Sequence, residues 1–169
     1  PQRQDRPFLQ CHARLCLCKK AKLLGGGIGT APLVLLARRL REATAQVTVY
    51  LGFRSAEYAV CTAKFTELGC NVRLYSDDGT LESKGFAIEG LLAEEDGSAV
   101  FACGPKPMFK ALQSALPTTT PAWVSLEERM GCGVGACLCC TCGIKDEDGV
   151  RNRRVCADGP VFALSEVVL

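Results

Sequence analysis

Five of the chain's twelve cysteines, Cys132, Cys137, Cys139, Cys140 and Cys142, fall within eleven residues, interleaved with Gly131, Gly133 and Gly135. Such crowding does not suit a disulfide framework, in which each thiol needs a partner at a set separation. It suits thiolates converging on metal in a reducing compartment. Cys132, Cys137 and Cys140 stand as C-x4-C-x2-C, with Cys156 as a distant fourth, which is the plant-type spacing of a [2Fe-2S] site. The glycines let backbone N–H groups approach the sulfides. Cys139 and Cys142 form a second C-x2-C offset by two residues. Only the set containing Cys137 keeps the four-residue gap back to Cys132, so Cys139 and Cys142 are read as non-ligands. A structural zinc site is the alternative, but such sites usually carry a second close pair, and Cys156 stands alone.

Two further motifs carry chemistry. Gly25, Gly26, Gly27, Ile28 and Gly29, followed by Thr30, form a glycine-rich turn between a short apolar run and a helix-like stretch. A turn of this kind sets a pyrophosphate against free N–H groups at the positive end of a helix. It departs from the full G-x-G-x-x-G pattern, so a tight strand-to-helix turn with no ligand remains an alternative. Cys103, Gly104 and Pro105 make an equivalent turn after a later strand. Two turns at the carboxyl edge of one sheet would form a cleft, although Pro105 also suits a plain helix start and Cys103 a small buried residue. No residue is singled out for a chemical step of its own.

The elements that must position these residues alternate. Strands are predicted over 21–24, 46–51, 71–75, 99–103 and 122–125, and helices over 30–41, 56–68, 88–94 and 106–116. Alternation of this kind predicts an α/β fold, a parallel sheet covered on both faces. Residues 1–20 show neither period and begin with proline, and they are read as an irregular remnant of a longer protein. Residues 21–120 are read as a nucleotide-binding α/β domain. The PTTTP stretch at 117–121 then leads into a small, loop-rich cluster domain over 121–169.

A net charge of +2, from 20 basic and 18 acidic residues, argues against a nucleic-acid partner. No apolar run is long enough for a membrane span, and no signal-peptide pattern is present, so a cytoplasmic protein is expected. Nicotinamide moves electrons in pairs and an iron-sulfur cluster moves them singly. A chain with both sites therefore needs a flavin, bound here or on a partner.

The motifs GGGIGTAPL (25–33), YLGFRSAE (50–57), FACGPKPM (101–108), SLEERMGCGVGACLCC (125–140) and RVCADGPVF (154–162) resemble those of the electron-transfer subunit of dihydroorotate dehydrogenase B, within the ferredoxin-reductase superfamily. The resemblance runs from about Lys22 to the C-terminus, and the cluster motifs are its most specific part. It implies a flavin-binding barrel, then the α/β domain, then the cluster domain. It implies that Cys132, Cys137, Cys140 and Cys156 hold the cluster. It also implies FAD, NAD and a catalytic partner subunit carrying FMN, in a heterotetramer that serves pyrimidine (UMP) synthesis. The chain would be an oxidoreductase component with no activity on dihydroorotate by itself. The barrel, with its R-x-[YFIL]-[ST] element, is not found in residues 1–20, and family members tend to have a small or aromatic residue where Cys139 stands and no cysteine where Cys142 stands. A related reductase subunit, of a sulfide dehydrogenase or a hydrogenase, is a second reading; a zinc-stabilised nucleotide-binding module without redox activity is a third. Arg54 and Ser55 follow the second strand, where a 2′-phosphate could be read, so NAD over NADP rests on the resemblance.

Overall fold

The computed structural model describes residues 19–43, 45–94 and 96–169. The irregular stretch expected at the start lies outside these residues as far as position 18. Strand β1 (Lys20–Gly26) runs through a tight 3-10 turn, Gly27–Gly29, into helix α1 (Thr30–Glu42). Then follow β2 (Gln46–Phe53), α2 (Thr62–Glu67), β3 (Asn71–Ser76), the two-residue β4 (Ser83–Lys84), α3 (Ala87–Ala93), β5 (Ala99–Cys103), α4 (Lys106–Ala115) and β6 (Ala122–Ser125). The main sheet has the order β4-β3-β2-β1-β5-β6-β9, parallel throughout except for β9 (Val161–Ala163). Strand order reverses at β1, which pairs with β2 on one side and β5 on the other.

Alternation along the central strands divides the core. Leu23, Val49, Leu51, Phe101 and Cys103 face α1, whose Leu33, Leu36, Ala37 and Leu40 supply the buried stripe at helical spacing. Leu24, Tyr50, Val100 and Ala102 face the other way, against Leu91 of α3 and Phe109 and Leu112 of α4. This second core also takes in Val124, Cys140, Ile144, Val155 and Leu164. The cluster region is therefore packed into the sheet's own interior.

The helix predicted over 56–68 is broken. A 3-10 turn covers Ala56–Tyr58 and α2 begins only at Thr62, with Cys61 between them at a φ of 60°. Ala59 and Val60 pack against the first core, and that burial outweighs one more helical turn. Beyond Glu128 the chain is more regular than the loop predicted there. Strands β7 (Thr141–Asp146) and β8 (Gly149–Arg154) form an antiparallel hairpin, the short helix α5 (Val155–Asp158) follows, and β10 (Val167–Val168) pairs with β7.

At the amino edge of the sheet Lys22 is almost completely buried. Its ammonium contacts Asp96 Oδ1 at 3.1 Å and donates to the Leu91 carbonyl at 3.5 Å and to the Glu94 carbonyl, closing the C-terminal end of α3. Lys22→Met keeps the buried stem but orphans these acceptors. It is expected to cost about 2 kcal/mol, read as a fall of roughly 4–8 °C in melting temperature.

Candidate functional site

The reversal of strand order at β1 opens a crevice between the turn after β1 and the turn after β5, the place where open α/β sheets bind ligands. The cavity there measures about 680 Å³, and Gly25, Gly26, Gly27, Ile28, Gly29, Gly104 and Pro105 all line it. The two turns touch. A Cβ on Gly29 would lie 2.6 Å from the Cys103 carbonyl carbon and 2.7 Å from the Gly104 amide nitrogen, so only glycine fits. No side chain caps the start of α1 or α4, and neither helix has an acidic residue in its first turn. Their positive dipole ends therefore meet the crevice with no first-turn carboxylate against them.

Two predicted residues sit elsewhere. Thr30 and Cys103 are completely buried, and neither side chain lines the cavity. Cys103 lies in the core beneath α1, where burial and the Glu127 carboxylate push its thiol up to about 11 despite a hydrogen bond with Ser125. The C-G-P turn presents Gly104 and Pro105 to the cavity and withdraws its cysteine, because alternation along β5 turns that side chain to the α1 face. Several lining residues were not singled out from the sequence: Asp77, Phe86, Lys106, Met108, Leu126 and Glu127. Arg54 lines the cavity immediately after β2, and Asp77 immediately after β3. The same proximity to a strand's carboxyl end that marks Arg54 in the sequence could have found Asp77.

The cysteine loop forms a separate surface. Cys132 Sγ accepts N–H groups from Val134 at 3.4 Å, Ala136 at 3.2 Å and Cys137 at 3.4 Å, while the Cys132 N–H donates to Cys137 Sγ at 3.4 Å. Cys156 N–H donates to Cys140 Sγ at 3.5 Å. The four predicted thiols thus stand as two pairs, Cys132 with Cys137 and Cys140 with Cys156. Among the described residues no three His, Cys, Asp or Glu side chains converge as a single ion would require. Two pairs of thiolates are the donor set that a binuclear centre takes, two to each metal, and the loop's N–H groups point at sulfur as such a centre needs. The residues fit a [2Fe-2S] cluster.

The same N–H groups tune the thiols. Hydrogen bonds from Cys137 and Val134, then the Cys137 thiol and Ala136, bring Cys132 down to about 6. Donation from Cys156 lowers Cys140, and Cys156, which shares its proton with Cys140, is raised. Burial raises Cys142, whose half-buried thiol in β7 lies against the Arg153 carbonyl of β8. Cys139 is exposed. In folded, metal-free protein, alkylation at Cys132 should therefore rise with a midpoint near pH 6. Denaturation should move that midpoint to about 8.5, the ordinary thiol value; mass-mapped iodoacetamide kinetics would measure it, and an unshifted midpoint in the folded chain would refute the N–H assignment.

Residues 127–168 match the family model described as the iron-sulfur cluster binding domain of dihydroorotate dehydrogenase B. The chain is 45% identical over 148 residues to a protein of Shouchella clausii named dihydroorotate dehydrogenase B (NAD(+)), electron transfer subunit, covering 87% of this chain and 56% of that protein. The equivalent protein of Desulforamulus reducens is 41% identical over 153 residues, covering 88% and 58%. Among solved structures, one titled as an NADH-dependent reduced ferredoxin-NADP oxidoreductase, studied for flavin-based electron bifurcation, superposes with a TM-score of 0.75 at 31% identity, over 88% of this chain and 54% of that one. A ferredoxin reductase of carbazole 1,9a-dioxygenase, at 24% identity and a TM-score of 0.52 over 61% of this chain and 35% of that one, shares the fold. The chain spans rather more than half the length of the curated relatives it matches. Over that span it is similar to the dihydroorotate dehydrogenase B electron transfer subunits, and residues 127–168 match that family's cluster-binding domain.

Proposed function

We propose that this chain carries electrons between a catalytic dihydroorotate dehydrogenase subunit and NAD+, through a [2Fe-2S] cluster held by Cys132, Cys137, Cys140 and Cys156. The observation that carries the reading is the arrangement of those four thiols as two pairs on a loop whose N–H groups point at sulfur. The relatives' names supply the rest: the oxidised substrate, the nicotinamide acceptor and the role of subunit. The reading extends to a partner bearing FMN, a heterotetrameric assembly, an FAD contributed from the family's barrel, and a place in cytoplasmic pyrimidine synthesis. Among the described residues no helix is long and apolar enough to cross a membrane.

When bound, the cluster supplies one-electron exchange, and FAD links it to the two-electron chemistry of nicotinamide. This chain's own residues hold and orient. Gly25 to Gly29 let the dinucleotide's pyrophosphate approach the first turn of α1, and Gly104 with Pro105 forms the opposing wall. Cys103, neutral and sealed in the core, serves packing. Arg54, which makes no ion pair among the described residues, lies where the adenosine ribose is read.

The test is iron and acid-labile sulfide analysis with a visible spectrum on anaerobically purified protein. Two irons and two sulfides per chain are expected, together with saturable NADH binding. Zinc in a colourless sample would overturn the electron-carrying reading.

A further inference from the structure

Arg154 joins two of the segments that carry cysteines. It ends β8, directly before the four-residue helix that contains Cys156. Its Nε and Nη2 donate to Asp158 Oδ2 and Oδ1, both at 2.9 Å, and its main-chain N–H donates to the same Oδ2 at 2.8 Å. This is the planar fork that arginine forms on a carboxylate and lysine cannot. The remaining donor, Nη1, reaches the Gly135 carbonyl at 3.2 Å, nineteen residues away and midway between Cys132 and Cys137.

The bend at Gly135 is shaped to receive it. Gly135 has a φ of 84°, and a Cβ there would lie 3.2 Å from Arg154 Nη1 and 2.9 Å from the Ala157 Cβ. The guanidinium is thus wedged between the C-x4-C bend and the helix of the fourth cysteine. Its ion-pair partner is Asp158, with Nε and Nη2 each 2.9 Å from a carboxylate oxygen. Among neighbouring cations, Arg151 pairs with Asp146 and Asp148 and Lys106 with Glu128, while the charge of Arg153 also acts on Asp158.

We propose that Arg154 is a positioning residue for the cluster. Through its fork on Asp158 and its bond to Gly135, it holds the first cysteine pair at a set distance from Cys156 and places one positive charge beside the second pair. The inference rests on the proposed four-cysteine ligand set and deepens it. Reduction of a cluster adds one negative charge, so a fixed cation beside it favours the reduced state and raises the potential, while a fixed anion lowers it.

The experiment uses the full chain purified anaerobically, with redox titration of the visible spectrum and the rate of iron loss to a chelator. Arg154→Gln is expected to shift the potential downward and Asp158→Asn upward, and both should lose iron several-fold faster than the parent. Arg154→Lys keeps the charge without the fork, so its potential should stay near the parent's while its iron loss accelerates. If Arg154→Gln fails to assemble a cluster, the Asp158→Asn and Arg154→Lys comparisons carry the test. Potentials that do not move, or that move the same way in Arg154→Gln and Asp158→Asn, overturn the electrostatic role. Unchanged iron loss in Arg154→Lys overturns the positioning role. A parent chain that binds no iron refutes the ligand set itself, and the inference with it.

Discussion

Protein in which Cys156 is replaced by serine is expected to emerge colourless and without iron, as is Cys132→Ser, whereas Cys142→Ser keeps its full complement. Each thiol of a pair has a role the other cannot fill. Cys132 is the hub of three N–H donors that hold its thiol down to about 6, and Cys156 sits against Cys140, sharing its proton. A serine hydroxyl in either place is neutral near pH 7 and a poor ligand for iron. Cys142 of β7 faces the Arg153 carbonyl of β8, its thiol raised by burial, and its loss removes only a packing group. Cys139→Ser should behave like Cys142→Ser. Iron analysis and absorption spectra of the four variants decide the matter; full iron in the Cys156 variant would overturn the ligand set.

The second large effect lies at the other site. Gly29→Ala would put a methyl group inside van der Waals contact of the Cys103 carbonyl carbon and the Gly104 nitrogen, at 2.6 and 2.7 Å. Both are backbone atoms of a central turn and cannot swing aside as a side chain would. A cost of about 3 kcal/mol is expected, at the upper end of overpacking effects, with loss of NADH binding because the two walls of the crevice are forced apart. Gly27→Ala is the control, since nothing lies within 4 Å of its Cβ position and its φ of 54° imposes only local strain. That strain is worth about 1 kcal/mol. Denaturant midpoints separate the two variants, and NADH titration of Gly29→Ala reads the loss of the crevice. Equal stability would mean that the turns do not touch as described.

The α/β core was legible because its signals are local. A short apolar run, a glycine cluster and an apolar stripe at helical spacing announce β1, the turn and α1, and the same logic recovers β2, β3, β5 and α4. What was illegible depends on distant contacts. The hairpin over residues 141–154 is largely exposed, with charged residues crowding its turn, so strand alternation does not appear in its sequence. Cys103 sits in a motif that suggests a ligand, yet which face of β5 it occupies is set by the sheet around it. Arg154 looks like one basic residue among several in RNRR, and only the fold brings it to Gly135. The spacing of the four cysteines was readable, but their division into two pairs was not.

Strand β9 is antiparallel to β6 and closes one side of the main sheet, while the other side ends in a strand of only two residues, one of them a lysine. An uncovered strand edge is a template for pairing with another chain, and a short charged edge discourages it. The covered edge is the one guarded by the cluster-bearing segment. Should oxidation strip the iron and loosen residues 155–163, β6 would present Ala122–Ser125, with Trp123 stacked on Phe101 behind it, as an open edge. Loss of the metal would then make the chain prone to self-association as well as redox-silent.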